Sequence, residues 1–137
     1  MQKPVAFFDI DGTLFRSSLL IELVDRLLDA GVFPKETGEE FAELKRSWQD
    51  REGEYESYIN AVVKVFRQNL KGVFYGDLAD IGREVVAERN KRVYRYTRDL
   101  IQDLKAEGYF LVAISQSPKT ILDDFCRQYG FDKVYGR

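Results

Sequence analysis

The sequence contains no histidine and only one cysteine, Cys126. Without histidine there is no Ser-His-Asp or Cys-His relay, and most zinc chemistry is excluded. One cysteine cannot close an intrachain disulfide. Cys126 falls on the apolar side of a helical segment with no base to activate it, so it reads as core filling rather than as a nucleophile. Long apolar runs are missing as well. No segment reaches membrane-spanning length, and Asp9 and Asp11 interrupt the amino terminus too early for a secretory leader. These absences, with the lone free thiol, point to the cytoplasm and to no membrane partner. A strong charge of either sign is also lacking. Against 23 acidic residues stand 21 basic ones, a net charge of −2, which argues against nucleic acid as a partner. One run is locally basic, from Arg83 to Arg98, with Arg89, Lys91, Arg92 and Arg95. It reads as a solvated helix end and connector, or as an anion-attracting rim over a phosphate site. Chemistry must therefore come from carboxylates, hydroxyls, backbone amides or a hard cation.

What is present suffices for one folded core. The 137 residues are 45% hydrophobic and 32% charged, an ordinary globular balance. Val5 to Phe8 is a short apolar run after Pro4 and reads as a buried, parallel strand. Helical periodicity follows in five segments. The first, about Ser18 to Asp29, carries Leu19, Leu20, Leu23, Val24, Leu27 and Leu28, and Gly31 stops it. The second, near Glu39 to Asp50, carries Phe41, Leu44 and Trp48. The third, about Glu54 to Leu70, carries Tyr55, Tyr58, Ile59, Val62, Val63 and Phe66. A fourth is capped by Asp77 and buries Leu78, Ile81, Val85 and Val86. Thr97 caps a fifth, with Leu100, Ile101 and Leu104 inside. The period then changes: Tyr109 to Ser115 is a second apolar run of strand length. Ser117 and Pro118 start a last helix with Ile121, Leu122, Phe125, Cys126 and Tyr129 on its buried side. Phe131 to Tyr135 reads as the beginning of a third strand.

The chemistry concentrates in Asp9-Ile10-Asp11-Gly12-Thr13. It directly follows the first strand, where ligands bind in open α/β sheets. Alternation puts Asp9 and Asp11 on one side and Ile10 on the other. Two carboxylates so close repel unless a cation joins them, and Mg²⁺ prefers such oxygen ligands. Gly12 permits a tight turn that leaves backbone N–H groups open to an anion, and Thr13 can brace the loop. At the end of the second strand Ser115, followed by Gln116, places a hydroxyl beside a helix start, a good phosphate contact.

On these residues the chain resembles the haloacid dehalogenase-like hydrolases. FFDIDGTLF resembles their first motif and LVAISQSP their second, and the similarity is greatest to the phosphoserine phosphatase-like branch. The resemblance implies an α/β fold with a Rossmann-like three-layer core, residues 1–15 and 97–137, and an all-helical cap inserted after the first strand, residues 16–96. It implies a Mg²⁺-dependent phosphatase acting on a small phosphomonoester. Asp9 would be the nucleophile that forms an aspartyl-phosphate, and Asp11 the general acid and then base. Thr13 would position Asp11. Mg²⁺ would bind the Asp9 carboxylate and the Asp11 backbone carbonyl. Ser115 would hold the phosphate, with amides of the neighbouring Gln116 and Gly12 in support.

Two departures accompany the resemblance. The family's later lysine and distal acidic pair lie well downstream of the second motif. Here Lys119, Lys133 and the Asp123-Asp124 pair are poor substitutes in place, so the core reads as incomplete, cut after the second motif, and the 137 residues alone as inactive. Edge pairing with a second copy, a homodimer, is one way such a sheet would be protected. The second departure is Arg16-Ser17-Ser18, where an acid that meets the substrate amine is expected, which speaks against phosphoserine. A phosphotransferase with the same nucleophile and a non-catalytic interaction module are the alternatives.

Overall fold

A computed structural model of the chain describes residues 2–137. Its elements run β1 (Val5–Asp9), α1 (Leu19–Asp29), a 3₁₀ turn (Lys35–Gly38), α2 (Glu39–Gln49), α3 (Tyr55–Leu70), α4 (Tyr75–Arg89), α5 (Arg95–Ala106), β2 (Phe110–Ile114), α6 (Lys119–Arg127) and β3 (Lys133–Tyr135). This is an α/β fold with a helical insertion after the first strand. The chain divides into two compact units, Met1–Leu19 with Gly82–Arg137, and Leu20–Ile81. The helical unit is narrower than the 16–96 span drawn from the sequence. Gly82 explains one end: it lies against α6, where a Cβ would stand 3.5 Å from the Thr120 carbonyl. That close approach ties the second half of α4 to the α/β unit.

In the α/β unit the three strands are parallel, in the order β1-β2-β3. Register pairs Val5 with Phe110, Phe7 with Val112 and Asp9 with Ile114, and carries on to Lys133 and Tyr135. Because strand side chains alternate, these residues share one face. The opposite face holds Phe8, Leu111 and Ala113, all buried together with Ile121, Leu122, Phe125 and Cys126 of α6. The first face is largely open: Val112 is buried, but Phe7 beside it is 66% exposed and Val5, Ile114 and Tyr135 are exposed as well. The core is thus incomplete in a definite sense, with one covered face, one open face and a free β1 edge. The expectation that β1 is a buried strand is corrected here. It pairs on one side only, and of its five residues Phe8 alone is buried. The solitary thiol, Cys126, is fully buried, and burial pushes it up to about 12, with the Asp11 and Asp123 charges adding to the effect.

The helical unit packs aromatic against aromatic. Phe33 meets Phe66, Phe41 meets Tyr58 with ring centroids 6.2 Å apart, and Trp48 meets Tyr55 at 5.0 Å. The α3 stripe is Tyr58, Val62, Val65 and Phe66. Val65 takes the place foreseen for Val63, as the i, i+4, i+7 spacing from Tyr58 requires. In α2 only Phe41 is buried; Leu44 and Trp48, expected inside, are exposed. Gly31 ends α1 at φ 74, a conformation that costs glycine least. The α4 helix begins at Tyr75, so Asp77 sits in its first turn rather than at the cap. Likewise α5 is capped by Tyr94, and Thr97 lies inside it. Among the described residues no helix is long and apolar enough to cross a membrane.

Asp132 links three parts of the α/β unit. Its carboxylate accepts the Leu111 N–H at 2.8 Å and the Lys105 ammonium at 2.8 Å, while Lys105 also donates to the Gly130 carbonyl. The Leu111 bond first, and Lys105 next, hold the carboxyl below its usual range. A depressed folded value contributes stability that is complete above the unfolded value and is lost as pH falls through the folded one. Asp132→Ala is expected to lower unfolding free energy by about 1–2 kcal/mol near neutral pH. Urea titrations taken down to about pH 2.5 should show the gap to wild type narrowing as the carboxylate protonates.

Candidate active site

The turn after β1 is built around one carbonyl. The Ile10 oxygen accepts the N–H groups of Thr13, Leu14 and Phe15 at 3.2, 3.0 and 2.9 Å. Ile10 itself is fully buried and turned away from the acids that flank it, as alternation requires. Gly12 makes the reversal at φ 79, with open space where a Cβ would stand. Its N–H donates to the Phe15 and Ser17 carbonyls, at 2.8 and 3.2 Å. This corrects the expectation of open amides in the turn: from Gly12 to Phe15 each is spent closing it. The amides of Asp11 and Gln116, next to the two carboxylates and Ser115, are not drawn into such bonds.

The two carboxylates stand in different surroundings. Asp9, the last residue of β1, is exposed, and its Oδ2 accepts one hydrogen bond, from Thr13 Oγ1 at 3.2 Å. Among the described residues it has no cationic partner. Asp11 is half-buried and enclosed by donors. Its Oδ1 accepts the Leu19 N–H, the first of α1, at 2.7 Å. Its Oδ2 accepts the Ser115 hydroxyl at 2.5 Å. The Ser117 hydroxyl lies 3.2 Å from both oxygens. A carboxylate at a helix N-terminus is favoured by the partial positive charge there and satisfies an otherwise orphaned N–H.

The predicted residues are therefore brought together, with duties redistributed. Thr13, expected to position Asp11, braces Asp9 instead. Ser115 spends its one hydroxyl proton on Asp11 and accepts the Ser117 N–H at 3.0 Å, so in this arrangement it does not point its donor at an anion. Gln116 is exposed beside it. Sequence reasoning treated Ser117 only as a helix start, yet it is 2% exposed and sits on Asp11. It also read Thr97 only as a cap, whereas its hydroxyl donates to the Thr13 carbonyl at 2.8 Å. A polar residue directly before Pro118 signalled a loop, not a partner 106 residues away.

The poor substitutes for the later motifs stay so. Lys119 lies 4.0 Å from Asp123 within α6, Asp124 pairs with Arg127, and the Lys133 ammonium lies over the Tyr135 ring. For Mg²⁺, Asp9 and the Asp11 carbonyl offer two oxygens of the six the ion takes. Among the described residues no group of three or more acidic, histidine or cysteine side chains could hold a metal. The donor set is thus partial.

Residues 6–137 match the sequence pattern of the haloacid dehalogenase-like hydrolases. Among solved structures the chain is similar to a protein of unknown function from Bordetella pertussis Tohama I, at TM-score 0.72 and 16% identity over 99% of this chain and 60% of that one. It is also similar to a substrate-bound phosphoserine phosphatase, at TM-score 0.51 and 18% identity over 99% of this chain and 56% of that one. At such identities the likeness is one of fold. The chain spans little more than half the length of these structures. No curated protein matches it.

Removing Ser117's hydroxyl should cost about 1 kcal/mol of stability, and most of that loss should disappear in a chain already lacking the Asp11 carboxylate. A double-mutant cycle of Ser117→Ala and Asp11→Ala, read by chemical denaturation, measures that coupling; simple additivity would show that the two do not interact.

Proposed function

Because the chain belongs to the haloacid dehalogenase-like hydrolases, we propose that it is the nucleophile-bearing part of a phosphatase acting on a small phosphomonoester through an aspartyl-phosphate at Asp9. One observation carries this reading. Two carboxylates two residues apart lie at the carboxyl end of a strand, one exposed with a single hydroxyl partner and the other enclosed by donors. A nucleophile needs a free oxygen, and a general acid–base needs a fixed position. In the proposed reaction an Asp9 oxygen attacks phosphorus, the bond to the alcohol breaks, and Asp11 gives that alcohol its proton. Asp11 then takes a proton from water, which attacks the acyl-phosphate and regenerates Asp9. The Leu19 N–H can only donate, so Oδ1 faces it as an acceptor and Oδ2 is the oxygen that carries the proton. The Ser115 hydroxyl beside it can turn to accept. Magnesium, held by the Asp9 carboxylate and the Asp11 carbonyl, would neutralise charge between carboxylate and phosphate. The amides of Asp11 and Gln116 remain for the phosphoryl oxygens.

Fixed positive charge around the nucleophile is what these residues lack, and loss of one preorganised charge in such a site costs orders of magnitude in rate. The purified 137-residue chain, assayed with Mg²⁺ and an aryl phosphate, is therefore expected to turn over no faster than its Asp9→Asn variant. Turnover at an ordinary enzymatic rate would contradict this. In a longer form of the protein that does turn over, Asp9→Asn should abolish activity. There, Asp11→Asn should slow esters of poor leaving groups by about 10²–10⁴-fold and activated aryl esters much less. A leaving-group series, with Mg²⁺ affinity measured alongside, checks this; an equal loss across the series would remove Asp11 from the role of acid.

A further inference from the structure

The basic run of the sequence is brought directly onto the loop that follows Asp11. Phe15 forms an antiparallel bridge with Val93. The Arg16 N–H donates to the Arg92 carbonyl and the Tyr94 N–H to the Leu14 carbonyl, each at 2.9 Å. The Thr97 hydroxyl closes the far end on the Thr13 carbonyl. Beneath this strip Phe15 is fully buried and meets the edge of Phe125 at 5.2 Å. The backbone under Arg16 is thereby fixed. Gly12, which follows Asp11, bonds to the carbonyls on either side of Arg16, so Arg16 stands on the rim of the Asp9–Asp11 loop.

The Arg16 side chain is exposed, and its guanidinium lies 5.9 Å from the centre of the Tyr94 ring. Among the described residues no carboxylate pairs with it. The same holds for Arg92 and Arg95 on the facing strip, also exposed. Guanidinium groups without an acid, beside a site for a phosphate, leave charge for a ligand to satisfy. A guanidinium meets a carboxylate or phosphate with two parallel hydrogen bonds. Stacking on Tyr94 orients the group in advance, which reduces the ordering cost of binding. An ammonium in the same place would be repelled.

Resting on the phosphatase reading of the loop, we propose that Arg16, braced by Tyr94, is a specificity-determining residue that selects phosphomonoesters whose alcohol portion bears a second anion, a carboxylate or another phosphate. The test is a calorimetric titration of the 137-residue chain with Mg²⁺ at low ionic strength, using four probes: ethyl phosphate, phosphoglycolate, 1,2-ethanediol bisphosphate and phosphoethanolamine. At least one doubly anionic probe should bind about tenfold more tightly than ethyl phosphate, and phosphoethanolamine no more tightly than ethyl phosphate. Comparing phosphoglycolate with the bisphosphate identifies which second anion is preferred. Arg16→Ala should bring the doubly anionic to ethyl phosphate ratio close to one. Arg16→Lys should retain part of it, and Tyr94→Leu should narrow it. A ratio near one in the wild type, or one that survives Arg16→Ala, would overturn the role of Arg16 while leaving the loop's reading intact, since the esters still bind. If none of the four binds, both fall.

Discussion

The hydrogen bonds that converge on the Asp11 carboxylate hold the ends of the α/β unit together. Parallel strands leave a crevice at their carboxyl ends because the chain departs from neighbouring strands in different directions. Here the segment after β1 and the segment after β2 meet at one charged group: Ser115 and Ser117 reach it from one side and the first N–H of α1 from the other. Charge-assisted bonds of this kind are about twice as strong as neutral ones. Ile10, fully buried, fixes the same turn from beneath by accepting three N–H groups through its carbonyl. One residue anchors the loop to the core and the next presents it to the crevice.

From this arrangement follows a division of labour between two chemically identical side chains. Asp11 is held by three donor groups; Asp9 lies on the largely open face of the sheet, with Thr13 alone beside it. Environment rather than residue type separates a group free to form a bond from a group fixed to move a proton. The open face that leaves Asp9 accessible is the same feature that leaves it without cationic company. Its open side and the incompleteness of the core are one structural fact.

The order of elements, the three strands and the acidic loop were legible in the sequence because each rests on local periodicity or on adjacent residues. What was not legible depends on contacts far apart in the chain. The run Val5–Phe8 has the composition of a buried strand wherever it lies in a sheet, so its edge position could not be read from it. Leu44 and Trp48 have helical spacing, yet both stay exposed, because Trp48 meets α3 at Tyr55, a residue that is itself exposed. Ser117 carried the ordinary signal of a residue before a helix-starting proline, which concealed its bond to Asp11. Thr13 was given to Asp11 by the family resemblance alone, and across the reversal at Gly12 its hydroxyl reaches back to Asp9 instead. The zipping of Arg16 to Arg92 spans more than seventy residues and left no local trace beyond the basic composition of one partner.

The central claim is that Asp9 is the free carboxylate of the pair and Asp11 the held one. Carbodiimide coupling of the folded chain to a small amine, followed by peptide mass mapping, measures this directly for both positions at once. Fast labelling of Asp9 with strong protection of Asp11, lost when the chain is unfolded in urea, is the result expected. Equal labelling of the two in the folded chain, or preferential labelling of Asp11, would contradict the account.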